Sequence, residues 1–127
     1  MDNTTVIMNA LLEIQERGGQ GNFVIFMSDE EKNYFIQFAA KRGDKTLYGE
    51  AVSNVYLEPK YALDANQIER LKVIGWQYES EGSNLYKYWE ANNDDERLNI
   101  AQAVIQTFIE VYGMSPLQQI TVNVVLE

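Results

Sequence analysis

The side chains able to do chemistry in this chain are carboxylates and phenols. The sequence holds 19 Asp and Glu and 8 Tyr, with no His and no Cys. Proton shuttling near neutral pH, thiolate attack and soft-metal ligation therefore lack their usual donors. Asp29-Glu30-Glu31 could attract a hard cation, yet three adjacent acids in an extended turn diverge and lack the alternating ligands and glycine of a calcium loop. Asp94-Asp95-Glu96 is accounted for by the positive end of a helix that starts there. Glu50, between Tyr48 and Val52, could serve as a perturbed acid or base. No nucleophile motif, partner His or second acid at recognisable spacing accompanies it, so it reads as an outward carboxylate on a strand. No catalytic residue, metal ligand or cofactor is expected.

Aromatic residues carry the other candidate chemistry, which is contact. Tyr78, Tyr86, Tyr88 and Trp89 cluster in sequence, and such rings bury much area at low entropic cost and are enriched at binding hot spots. Strand alternation places Tyr86 and Tyr88 on one face and Leu85, Lys87 and Trp89 on the other, so both faces cannot be fully solvated. These four rings are the expected binding residues, set against the alternative that each packs in the core.

The elements that must position them follow from periodicity. Val6, Ile7, Ala10, Leu11 and Ile14 predict a helix over Thr4 to Arg17, stopped by Gly18. Phe23 to Met27 is a short apolar run that predicts a buried strand, and Asn33 to Lys41 alternates with period two. After the turn Arg42-Gly43-Asp44-Lys45, Thr46 to Ser53 returns as an antiparallel partner, completing a meander. Asp64 with Gln67 forms a capping-box pattern, with Leu63 and Ile68 as a hydrophobic staple, for a helix that ends at Gly75. Gln77 to Ser80 and Leu85 to Glu90, around Glu81-Gly82-Ser83-Asn84, predict a second hairpin. A helix over Asp94 to Tyr112 presents Ala101, Val104, Ile105, Phe108 and Tyr112 as a stripe, and Ile120 to Leu126 alternates as a last strand. The order α-βββ-α-ββ-α-β indicates an α+β fold, an antiparallel sheet with helices packed on it, in one domain over residues 1–127.

Composition narrows the function classes. A formal charge of −9 with 10 scattered Lys and Arg repels a phosphate backbone and offers no basic stripe, so neither nucleic acid nor an anionic membrane surface is expected as a partner. No apolar run reaches the roughly 20 residues of a spanning helix, and Met-Asp-Asn-Thr-Thr lacks the basic region of a secretion signal, which predicts a cytoplasmic protein. Gly18-Gly19-Gln20-Gly21 precedes a strand instead of following one, so it reads as a connector and not a phosphate loop.

The stretch Tyr34-Phe35-Ile36-Gln37-Phe38-Ala39-Ala40, then Leu47-Tyr48-Gly49-Glu50-Ala51-Val52-Ser53-Asn54 and Tyr56-Leu57, resembles the TY-Chap N-terminal domain family, related to the YbjN group. Gln67 to Trp76, with its Gly75-Trp76 ending, and the helix Ala101 to Gly113 extend the resemblance over roughly Phe23 to Pro116. The resemblance implies the fold of type III secretion chaperones, which bind other polypeptides and commonly dimerise, and it carries over no catalytic residue. A non-enzymatic binding domain is therefore expected, with another polypeptide or a second copy as partner. Val125, on a terminal strand apolar on its main face, points to a homodimer. The competing expectation is a small enzyme or ligand sensor, which requires convergent carboxylates and tyrosines in a pocket near Tyr48 or Tyr56. A third is a structural subunit with an obligate partner.

Overall fold

Each helix begins where a polar side chain can accept the unpaired amides of its first turn. Asp2 caps α1 (Asn3–Glu16), its carboxylate accepting from the Thr5 amide at 2.8 Å. Asp64 and Gln67 close the expected capping box on α2 (Ala65–Ile74) with two bonds of 2.8 Å. Asn93 caps α3 (Asp94–Glu110), and the three acids behind it fill the first turn, where the helix dipole favours them. Gly75, at φ 128°, ends α2. The computed structural model describes residues 1–79 and 82–127. Among them no helix is long and apolar enough to cross a membrane.

The strands are β1 (Asn22–Asp29), β2 (Tyr34–Ala40), β3 (Thr46–Ala51), β4 (Leu85–Glu90) and β5 (Thr121–Val125). They form one five-stranded sheet in the order β4-β3-β2-β1-β5, every neighbouring pair antiparallel. The expected meander is β1-β2-β3. The second hairpin is reduced to a single bridge from Gln77 to Tyr86, and Ser80 and Glu81 of that hairpin lie outside the described residues. Trp76 is drawn into the core and anchors the segment after α2, while β4 takes the free edge of β3 with pairing from Thr46–Glu90 to Ala51–Leu85 and keeps the Gln77 bridge on its other edge. The connection from β3 to α2 is built from two 3-10 turns, Asn54–Tyr56 and Pro59–Tyr61, tied by the Asn54 side chain to both backbone groups of Leu63 at 2.6 and 2.9 Å.

One face of the sheet is buried under the helices. Val24, Phe26, Ile36, Phe38, Leu47 and Leu85 meet Ile7, Leu11 and Ile14 of α1 and Ile100, Val104 and Phe108 of α3 in a single core. Inside it Phe38, Trp76 and Trp89 form a ring triangle with centroids 5.4 to 6.5 Å apart. Gly49 makes this possible: a Cβ there would stand 2.8 Å from a Phe38 ring carbon and 2.9 Å from Trp89 Nε1. Leu63 is buried and Ile68 packs on the same core, as the staple requires. Burial is completed by Tyr112, whose hydroxyl donates to the Val52 carbonyl at 2.7 Å.

Polar side chains lock the layers together. The buried Gln15 of α1 donates to the carbonyls of Asp44, before β3, and Ala91, after β4, at 2.9 and 2.8 Å, and accepts from Arg97 of α3 at 3.0 Å. Asn22 donates to the carbonyls of Ile14 and Arg17 and accepts from the Gly19 and Glu127 amides. The glycine-rich connector lets residue 127 lie against it, since a Cβ on Gly19 would be 2.8 Å from the Glu127 carbonyl oxygen.

Candidate functional site

Strand alternation that sends Val24, Phe38, Leu47 and Trp89 inward sends their neighbours to a second face that carries no helix. Cross-strand register aligns these outward residues into rows. Tyr88 pairs with Tyr48, Tyr48 with Ala39, Ala39 with Phe23 and Phe23 with Val125, an aromatic and aliphatic row crossing all five strands. The adjacent row is mixed: Tyr86, Glu50, Gln37, Ile25 and Asn123. Between them lies a shallow depression of about 300 Å³ lined by Phe23, Gln37, Phe38, Ala39, Tyr48 and Glu50. Residues on these rows are half-buried or exposed, in contrast to the inward ones.

The four expected binding rings separate. Tyr86 and Tyr88 stand on this open face, with Tyr88 64% exposed. Trp89, the next residue, points the other way and is 8% exposed inside the core triangle, so it takes no part in the surface. Tyr78 is elsewhere, under Lys72 at 5.3 Å, where it borders a groove of about 410 Å³ with Ser53, Asn54, Val55 and Ile68. The ring that joins Tyr86 and Tyr88 is Tyr48: centroid separations are 6.2 Å to Tyr86, 5.1 Å to Tyr88 and 6.4 Å between the two. Its outward position follows from the alternation of Thr46, Tyr48 and Glu50, but its partners depend on β3 pairing with β4 across 40 residues of separation.

The electrostatics of the face are anionic. Glu50 accepts from Asn84 Nδ2 at 3.3 Å, and Asn84 is itself held by the Ser53 amide at 2.9 Å. Glu90 accepts from Thr46 Oγ1 at 3.3 Å and from Asn92 Nδ2 at 3.3 Å. Burial first, and then the charges of Glu50 and Glu79 with the neighbouring Tyr86 and Tyr88, push the Tyr48 phenol above its ordinary value. It stays neutral at physiological pH. Glu50 is the carboxylate among the described residues that line the depression. Among the described residues no group of His, Cys, Asp or Glu is placed to hold a metal ion.

The other acidic stretches do local work. Asp29 accepts from the Lys32 amide at 3.0 Å and Glu31 from the Tyr61 hydroxyl at 2.9 Å, fixing the turn between β1 and β2. Glu96 accepts from the Asn92 amide at 2.7 Å, which with the Asn92 side chain holds its carboxyl below the usual range.

Among the described residues the sheet thus has one face packed by helices and one, with its aromatic row, free of them. The chain belongs to the family described as T3SS (YopN, CesT) and YbjN peptide-binding chaperone 3, whose model matches residues 8–124. The match includes the stretch between Phe23 and Pro116 that carries the resemblance in the sequence. No curated protein and no solved structure matches the chain.

Proposed function

We propose that this chain is a single, non-enzymatic cytoplasmic domain that binds an extended polypeptide on the open face of its sheet. The observation that carries the reading is the row Tyr88, Tyr48, Ala39, Phe23, Val125, which presents apolar and aromatic surface across every strand with no helix over it. An aromatic-rich patch with a polar second row suits side chains of a client better than it suits a substrate held for chemistry. A peptide-binding family is the setting in which such a face is expected.

The test is a charge placed in the row. Phe23→Asp should leave the far-ultraviolet circular dichroism spectrum intact and weaken capture of array-bound decapeptides by about tenfold or more, a loss of roughly 1.4 kcal/mol. Unchanged capture by the folded variant would move the binding site off this face.

Self-association is the second element of the reading, favoured by one observation: β5 has a ladder neighbour, β1, on one side only, and carries Val122, Val124 and Val125. Light scattering over a dilution series should show a dimer that dissociates when Val124→Pro removes an amide from the free edge; a strict monomer at all concentrations removes it.

A further inference from the structure

The triangle Tyr48, Tyr86, Tyr88 differs from Tyr61 and Tyr78 in what stands near it. Two other surface tyrosines have a cation of their own: Lys60 is 5.0 Å from the Tyr61 centroid and Lys32 5.7 Å, and Lys72 is 5.3 Å from Tyr78. Among the described residues no Lys or Arg stands over the triangle, and the outward positions of the two rows contain neither type. Its charged neighbours are carboxylates. Glu50 is the register partner of Tyr86 and lies two residues from Tyr48; Glu90 lies two residues beyond Tyr88 on the same face.

Aromatic faces carry negative electrostatic potential, and carboxylates beside them add to it. The side chain this arrangement fits is a cation on an aliphatic stem, which can lay methylenes on the rings while its charged head reaches Glu50 or Glu90. Tyr88, at the rim and 64% exposed, is open to such a visitor. A phosphorylated or acidic segment meets repulsion at the same place.

We propose that the Tyr48, Tyr86, Tyr88 triangle receives a Lys or Arg side chain of the polypeptide held on the sheet face, a proposal that rests on the binding reading above. Selection of the full chain against a random decapeptide array, at low and at physiological salt, tests it beside Tyr88→Leu, which alters neither net charge nor the apolar character of the position. The expected result is enrichment of Lys and Arg over apolar residues in peptides bound by the wild type, that ratio falling by about fivefold to tenfold in Tyr88→Leu whatever the change in total capture. Equal basic enrichment in both proteins would trace it to the net negative charge alone and overturn the proposal. Selection of purely apolar peptides by the wild type would overturn it too, leaving sheet-face binding standing. No capture of any peptide would overturn both.

Discussion

The two aromatic triangles of this protein lie on opposite sides of one sheet and have opposite fates. Leu47 and Trp89 of β3 and β4 face the helices, where Trp89 joins Phe38 and Trp76; Tyr48 and Tyr88, one residue along on each strand, face away and gather Tyr86. Residue type differs little between the sides. What separates them is that α1 and α3 cover one, while among the described residues no helix covers the other, so the inner rings contribute to stability and the outer ones stand toward solvent.

The contrast predicts a graded set of mutational effects. Trp76→Ala should cost the most, about 3–5 kcal/mol in urea unfolding, since the ring is 1% exposed and its indole N–H donates to Thr107 Oγ1 at 3.1 Å. Gly49→Ala drives a methyl against Phe38 and Trp89 and should cost about 1–3 kcal/mol by the same measurement. A neutral outcome would mean the inner triangle is looser than its spacing indicates. Tyr112→Phe strands the Val52 carbonyl and should cost about 1–2 kcal/mol.

That residue also sets an alkaline limit. Burial, with a smaller contribution from Tyr34, pushes the Tyr112 phenol far above its ordinary value of 10.0. Only the unfolded chain releases that proton between pH 10 and the higher folded value, so stability is complete below pH 10 and falls as pH rises beyond it. Thermal unfolding from pH 9 to 11 should show a shallower decline in Tyr112→Phe. Smallest of all, Tyr88→Leu should change unfolding by less than about 0.5 kcal/mol while altering peptide selection. A large loss of stability there would place the ring in the fold's support and erase the distinction between the faces.

Local features of this architecture were legible in the sequence. The Asp64 and Gln67 pattern is a capping box, the period-two runs are strands, and Tyr86 and Tyr88 share a face opposite Trp89, because each depends on neighbours a few residues away. Non-local pairing was not legible. Nothing near Leu85 in sequence says that β4 will choose β3 as its ladder partner, and the hairpin expected around residues 77–90 is a single bridge on the other edge of β4. The same choice brings Tyr48 into the triangle, removes Trp89 from the surface and leaves Tyr78 with Lys72. Alternation says that two faces exist; which one the helices cover is decided by packing of the whole chain.

Gln15 has a consequence for the opposite side of the sheet. Its amide grips the backbone just ahead of β3 and just behind β4, and so fixes Thr46 against Glu90. Were β4 to slip by one residue, every side chain on it would change sides, turning a tryptophan out to water and a tyrosine in against the helices, with two inward carbonyls robbed of their donor. A buried helix residue is thereby the registration pin for the tyrosines on the far side of the sheet.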